Sequence, residues 1–465
     1  MTSALIWIFI PLGLAILLYL LPRRVTLVNW VCLGIAGALA LLAWLAPVEE
    51  TIRIGRLAVK ISESMVVSGR SFTLTSGDAP SITLLYGIAA LWFAGGLGLR
   101  PQPGFAPLGL GLTAVLIAAL AVEPFLYAAL FFEIGMLISI PMLVLPGVPA
   151  GKGVLRFIIF QTLALPFILI AGWMLSGVET SPADSVLAAR AAIMLELGFV
   201  FYLGIFPFHS WIPILAEEAH PYRIGFLFTQ MPIVVFLFLL NFLDRYSWLR
   251  NDPTTYQILV LAGVLMVATG GIWAGFQHHL GRLLGYLVIV LSGFALVSIG
   301  MRAHSGIELL MLQFLPNALC LWLIGFCLSV FQDRSGSLGF EGSAGWLRRL
   351  PVVALGFLLA LFSITGIPDL AGFPVRLSLF VYLADQSTLL AVWAFAGNLG
   401  LLLVGLRILA LMIGPGDNLT WKISERTVEV FLAGVGILAI GLIGLLPHFM
   451  LPGLLALLNG FNHLP

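Results

Sequence analysis

Charge is scarce in this sequence. Asp, Glu, Lys and Arg supply 9% of its 465 residues, and hydrophobic side chains supply 61%. Soluble domains carry roughly 25% charged residues, so a chain of this composition has too little polar surface to stay dispersed in water. Lysine is rarer still, with Lys60, Lys152 and Lys422 as the whole set. A net charge of +1 leaves no basic footprint for nucleic acid. The cysteines, Cys32, Cys320 and Cys327, all fall in apolar runs. They imply no disulfide framework. Cys320 and Cys327 share a helix face, but no His or further Cys lies near them in sequence to complete a metal site. GxxxxGK[ST], HExxH, CxxC and a GxGxxG after a strand are all missing. No cofactor is therefore expected, and any redox chemistry would belong to partner subunits.

Long apolar runs are what the sequence has in abundance. A bilayer span needs about 20 mostly apolar residues, and in hydrocarbon the backbone must satisfy its own hydrogen bonds, which leaves helices or a closed barrel. The runs here are continuous rather than alternating, so they read as helices. The expected fold is an all-α polytopic membrane protein of about fourteen transmembrane helices. The spans are placed at 4–21, 25–46, 82–99, 105–122, 124–145, 154–175, 190–215, 222–243, 257–276, 283–300, 306–331, 351–382, 388–413 and 428–446. The first run lacks a basic n-region and a cleavage site, so it reads as a span rather than a signal peptide. In the loop 47–81, ETIRIGRLAVKIS and SGRSFTLTSG alternate around polar turns and predict a small extramembrane β-hairpin. Most of the Lys and Arg residues fall on inner loops if the N-terminus lies outside, which favours that orientation.

Two spans are interrupted. The seventh, ELGFVFYLGIFPFHSWIP, contains Pro207 and Pro213. The twelfth, LFSITGIPDLAGFPVRLSLF, contains Gly366, Pro368, Gly372 and Pro374. Proline removes a helix hydrogen bond and clashes with the preceding turn. Interrupted helices at corresponding places in two halves point to an ion path. The breaks lie five spans apart, so the predicted architecture is an inverted five-helix repeat with two discontinuous helices. Residues 1–104 form an N-terminal unit with the hairpin loop, 105–243 the first repeat, 257–413 the second, and 414–465 a C-terminal helix and amphipathic tail.

Ionisable groups inside hydrocarbon are functional candidates by default. Glu133 sits mid-span in FLYAALFFEIGMLISIPMLVLPG, with no neutralising neighbour in sequence. Glu196 and His209 flank the seventh-span break, where a histidine could pass protons near neutral pH or simply bond freed carbonyls. Gln230 lies deep in the eighth span. Glu217, Glu218, His220 and Arg223 are candidates for the inner mouth, or alternatively a solvated loop. His278, His279 and Arg282 lie between the ninth and tenth spans. Adjacent helical residues point about 100° apart, so the His pair is a poor metal site. Arg376 follows the twelfth-span break, and Asp369, on its other side, is a further mouth candidate. An arginine does not release its proton, so Arg376 would act as a fixed charge or gate.

These motifs resemble the antiporter-like subunits of respiratory complex I. Those are subunits L, M and N of bacterial NADH–quinone oxidoreductase, with the related membrane-bound hydrogenase subunits and Mrp-type cation/proton antiporters. FFEIGMLISIPMLVLPG resembles the family's fifth-helix motif, which puts its glutamate at Glu133. PFHSWIP resembles PFHxWxP at a broken seventh helix. HHLGRLLGYLVIVLSGFALVSIG resembles DLKRLLAYSSIxHxGF. SITGIPDLAGFPVRLSLF resembles AxxGxPPxxGFxxKxxLF at a broken twelfth helix. The resemblance implies fourteen helices with an inverted repeat, membrane-subunit partners linked to quinone or hydrogenase chemistry, and a prokaryotic inner membrane. The family's lysines are replaced. Tyr202 stands for the seventh-helix lysine, Gln230 is the polar residue nearest the eighth-helix position, Gly281-Arg282 replaces KR, PNALCLWLIG carries no charge, and Arg376 stands at the twelfth helix.

Three functions remain open on these grounds. The first is a proton-translocating subunit driven by partner redox subunits, with a path through Glu133, Glu196, Tyr202, His209, Gln230, Arg282 and Arg376. The second is a cation/proton antiporter subunit. The third is a non-pumping coupling partner, including the kind that serves inorganic-carbon uptake.

Overall fold

In the computed structural model, the described residues are 2–21, 24–46, 48–49, 51–54, 57–144, 147, 149–180, 185–302, 304–414 and 423–464. Lys422 and Arg23 lie outside them. The chain is a bundle of helices: α1 (Ile10–Tyr19), α2 (Val25–Leu45), α3 (Ala79–Gly96), α4 (Phe105–Ala121), α5 (Ala128–Leu143), α6 (Lys152–Thr180), α7 (Ser185–Leu203), α8 (Trp211–Glu218), α9 (Pro221–Arg245) and the short α10 (Ser247–Asn251). The second half holds α11 (Pro253–Gly275), α12 (Leu280–Gly300), α13 (His304–Ser335), α14 (Trp346–Arg349), α15 (Pro351–Thr365), α16 (Phe373–Gln386), α17 (Thr388–Ile413), α18 (Thr427–Leu445) and α19 (Leu451–Leu455).

Among the described residues, 11 helices are long and apolar enough to cross a membrane, or 12 if the bent pair Phe340–Arg349 and Pro351–Thr365 forms one span. Leu5–Tyr19 and Phe105–Ala121 are shorter apolar helices at the places of two further expected spans. The protein is thus an all-α polytopic membrane protein. Both interruptions are present: α7 gives way to α8 across residues 204–210, and α15 to α16 across residues 366–372.

Helix starts follow local chemistry. Pro221 opens α9 with fixed φ behind the cap residue His220, and Pro253 opens α11 behind Asp252, which accepts from the Thr254 and Thr255 amides at 3.1 and 3.2 Å. Pro141, Pro166, Pro232 and Pro316 sit inside helices. Transmembrane helices tolerate this where neighbours resatisfy the freed groups. The innermost helices are α9, α12 and α13, whereas α2, α17 and α18 keep broad apolar faces outward. Lipid is as apolar as leucine, so packing rather than water exclusion holds such helices together. Edge and tilted aromatic contacts do this where α3, α4 and α9 meet, joining Trp92, Phe93, Phe105, Tyr222 and Phe226.

The bundle has two distinguishable ends. One carries the strands and the first and last described residues: Ser3 N–H donates to Ser62 O at 2.8 Å, and Asp244 accepts from the Asn462 and Leu464 amides at 3.2 and 2.8 Å. At the other end, Arg100 pairs with Asp333 at 3.6 Å and Arg334 with Glu429 at 3.1 Å. The loop expected to hold one hairpin holds two. β1 (Thr51–Ile54) pairs with β2 (Leu57–Lys60), and β3 (Ser64–Val67) with β4 (Arg70–Thr73). Ser68 and Gly69, between β3 and β4, both have positive φ, the pattern of a two-residue primed turn, so β4 pairs back onto Ser64–Val67, which precede the alternating stretch. A fifth strand, β5 (Val122–Glu123), adds to β4.

Candidate functional site

The first break begins where Gly204 takes φ +60, a left-handed conformation that glycine adopts without steric cost. Tyr202, on the last turn of α7, is buried. Its hydroxyl has no hydrogen-bond partner among the described residues, and its carbonyl accepts from Gln161 Nε2 of α6 at 3.2 Å. The Tyr202 ring lies 5.1 Å from that of Phe132 on α5. The next residue, half-buried Glu133, accepts from Thr162 Oγ1 at 2.9 Å and lies within electrostatic reach of Tyr202. Glu133, Gln161, Thr162 and Tyr202 therefore gather where α5, α6 and α7 meet. Gln161 and Thr162 were not anticipated from sequence. Their signal was an adjacent polar pair in FIIFQTLALPF.

Glu196 lies nearly two turns earlier on α7, within electrostatic reach of Asp252 at the hairpin end. His209 lies within the break, in its short helical turn Phe208–Ser210. Its ring stacks on Phe206 at 5.5 Å, and its buried Nδ1 has no partner among the described residues. Glu196 precedes the break and His209 stands in it, with no hydrogen bond between them among the described residues.

In the centre, Gln230 is fully buried. Its Nε2 donates to Leu85 O of α3 at 2.9 Å, and its Oε1 has no partner among the described residues. Its neighbour Thr229 lines a cavity of about 40 Å³ with Ser292, Gln313 and Asn317. A water position needs roughly 10–15 Å³, so two or three would fit. Gln313 Nε2 donates to Ser298 Oγ at 2.6 Å while its Oε1 is unpartnered among the described residues. Asn317 belongs to the PNALCLWLIG stretch, which carries no charge but does carry this amide.

At the second break, Gly366 has φ +76, and a Cβ there would meet Arg376 Cβ at 2.8 Å. Arg376 is buried. Its guanidinium lies 3.6 Å over the Phe294 ring, Nε donates to Ile364 O at 3.2 Å, and Nη1 has no partner among the described residues. Asn398 Nδ2 donates to Thr365 O at 2.8 Å, and its Oδ1 is likewise unpartnered. Arg376, Thr365 and Asn398 line a cavity of about 500 Å³. Asp369 is exposed, with φ +67, and makes no ion pair with Arg376 among the described residues.

Of the expected mouth residues, Glu217, Glu218, His220 and Arg223 collect at the end opposite the hairpins, whereas Asp369 stays at the second break, against Gly444 of α18. Arg282 is exposed there and donates to Glu217 at 2.5 Å, so it stands outside the buried row. Glu218 accepts from the Gly153 amide at 2.7 Å. His220 Nδ1 accepts from the Tyr222 amide at 3.3 Å, and Gln102 Nε2 lies 3.3 Å from the same nitrogen. Burial, with Arg223 nearby, pulls the His220 imidazole down to about 4. His279 caps α12 through the Gly281 amide at 3.2 Å, and His278 Nδ1 contacts Arg407 Nη2 at 2.8 Å. The two imidazoles serve different partners.

Two breaks five spans apart, with buried polar groups strung between them, set this bundle beside known membrane proteins. The NADH:quinone oxidoreductase/Mrp antiporter transmembrane family matches residues 168–401. The chain belongs to that family. The matched residues include both breaks, Tyr202, His209, Gln230 and Arg376, while Glu133 precedes them. NADH-quinone oxidoreductase subunit N 2 of Acidobacterium capsulatum is 27% identical over 251 residues, covering 50% of each chain. Subunit N of Nitrosomonas europaea is 26% identical over 321 residues, covering 65% of this chain and 66% of that one. The chain thus spans about half to two thirds of the length of these curated relatives. A chain in the Mrp complex of Dietzia sp. superposes with a TM-score of 0.80 at 16% identity, covering 99% of this chain and 97% of that one. A chain of Thermus thermophilus respiratory complex I superposes at 0.73 with 20% identity, covering 98% of this chain and 100% of that one. At those identities the likeness is one of fold. An antiporter-like fold of this family places Tyr202 and Arg376 beside the two helix breaks.

Proposed function

We propose that this chain is an inner-membrane subunit of a multisubunit complex, and that it moves protons through its buried polar row with energy delivered by partner redox subunits. The observation that supports this is a set of buried polar atoms without partners among the described residues: Tyr202 Oη, Gln230 Oε1, Gln313 Oε1, Arg376 Nη1 and Asn398 Oδ1. Leaving such an atom unsatisfied costs about 1–3 kcal/mol. Water would relieve that cost, and a hydrated row of hydrogen-bonding groups can pass protons. Glu133 would be the group that takes up and releases the proton. Tyr202 and Gln161 would connect it to the first break. Arg376 keeps its proton and would set the local field at the second break rather than carry protons.

A second reading, a coupling subunit without transport, draws on one specific observation: an arginine with no carboxylate partner among the described residues follows the second break, and the described lysines, Lys60 and Lys152, stand in a strand and at a helix start. Proton flux in vesicles carrying the assembled complex separates the two. Loss of flux in Glu133→Gln and Gln313→Leu, with assembly intact, supports the relay. Normal flux in both removes it. Flux that needs only a cation gradient, without redox substrate, would assign the chain to antiport instead.

A further inference from the structure

Arg223, near the start of α9, is 4% exposed and has no carboxylate partner among the described residues. Its Nε donates to Gln102 Oε1 at 3.1 Å and its Nη1 to Met142 O at 3.0 Å. Both acceptors are neutral. A guanidinium has five N–H donors, so hydrogen-bonding capacity and a full positive charge remain. A buried charge is stabilised by a partner of opposite sign.

The surroundings indicate what that partner is. Arg223 lines a cavity of about 310 Å³ between α1, α2 and α4, together with Tyr19, Val28, Asn29, Leu108 and Pro141. Apart from Arg223, Asn29 and the Tyr19 hydroxyl, these walls are apolar. The cavity lies at the end of the bundle opposite the hairpins, where the exposed residues Tyr19, Leu21 and Arg24 mark the boundary between hydrocarbon and water. Beyond it, α2 presents Leu27 and Trp30 outward, 48% and 59% exposed. A cationic wall, apolar sides and an apolar track leading into the bilayer match a molecule with an anionic head and a hydrocarbon tail.

We infer that this cavity binds an anionic phospholipid. Its phosphate sits against Arg223, and its chain runs past Val28 and Leu108 onto the outward face of α2. The volume admits the head group and the start of a chain, and the remainder lies in the membrane. Free phosphate shares the head-group chemistry but would leave the apolar walls uncovered.

The test uses the purified full-length protein, stripped of lipid in detergent and titrated with phosphatidylglycerol, phosphatidylcholine or inorganic phosphate, with bound lipid read by native mass spectrometry. At least tenfold preference for phosphatidylglycerol over phosphatidylcholine is expected, with no displacement by millimolar phosphate. Arg223→Gln should remove the preference. That variant also loses the Gln102 and Met142 contacts, so Leu108→Trp, which narrows the cavity and keeps the arginine, is measured beside it and should weaken binding at least tenfold. Equal binding of the two lipids, or undiminished phosphatidylglycerol binding in L108W, overturns the inference. Displacement of lipid by phosphate alone overturns the lipid and leaves a soluble-anion site.

Discussion

Thr162 Oγ1 donates to Glu133 Oε1 across 2.9 Å and ties α6 to the one carboxylate in the middle of α5. If Glu133 takes up and releases a proton, this bond helps set how readily it does so. A hydrogen bond to a charged group contributes about 1.5–3 kcal/mol. Thr162→Val should therefore slow proton flux by about tenfold or more, since 1.4 kcal/mol corresponds to a factor of ten. Glu133→Gln keeps the shape and an acceptor for Thr162, so it should abolish flux while leaving thermal stability nearly unchanged. Flux in reconstituted vesicles and thermal unfolding of the same preparations check both.

His220 predicts a pH dependence of stability. Its imidazole is held down to about 4 by burial, with Arg223 nearby, against an unfolded value of about 6.5. The neutral ring accepts the Tyr222 amide at the start of α9. Protonation removes that acceptor and places a cation at a helix N-terminus, where the dipole disfavours it. The folded state is thus favoured in full above about pH 6.5, and this contribution is lost as pH falls through about 4. A shift of that size corresponds to about 3 kcal/mol at 1.36 kcal/mol per pH unit. Unfolding temperature should fall across that window in the wild type and less steeply in His220→Asn.

Much of this was legible because membrane helices and their breaks are written in local chemistry. Twenty apolar residues make a span wherever they occur, and Gly204, Pro207, Gly366 and Pro368 stop a helix without help from distant residues. Partnerships across the bundle were less legible. Val122 and Glu123 are two residues at the end of α4, and nothing in their sequence points to β4 some fifty residues earlier. Gln161, Gln313, Asn317 and Asn398 escaped notice because a neutral amide does not stand out as a charge does, yet they supply much of the buried polar row. Arg282 is expected in the proton path alongside Arg376. Its place on the first turn of α12 puts it at the bundle's end against Glu217, which periodicity does not specify.

Gly285 tests whether the first break depends on the second half of the chain. A Cβ on Gly285 of α12 would meet Pro213 Cα of α8 at 2.6 Å. Backbone cannot yield there as a flexible side chain would. Gly285→Ala should push α8 outward at a cost of about 1–3 kcal/mol, typical of overpacking, and lower the unfolding temperature. Since α8 continues from the break that holds His209, flux should fall along with stability. Gly434, with open space beside its Cβ position on α18, serves as the control, and Gly434→Ala should leave both unchanged.

Arg376 separates a structural from a functional charge. Its guanidinium lies over Phe294 and bonds Ile364 O, with Nη1 unpartnered among the described residues. Burying a charge without an opposite partner costs stability, so replacing it by an apolar residue of similar volume removes that cost. The lost contact with the ring offsets this by about 2 kcal/mol when desolvated. Arg376→Met should therefore change stability by no more than about 2 kcal/mol in either direction, while abolishing flux if the charge sets the field of the path. Arg376→Lys keeps the charge but loses the planar fork, and a buried lysine can shed its proton where arginine does not. Flux that persists in the lysine variant and vanishes in the methionine variant, at equal stability, marks the charge as functional. Equal flux in all three proteins would show that Arg376 is packing alone.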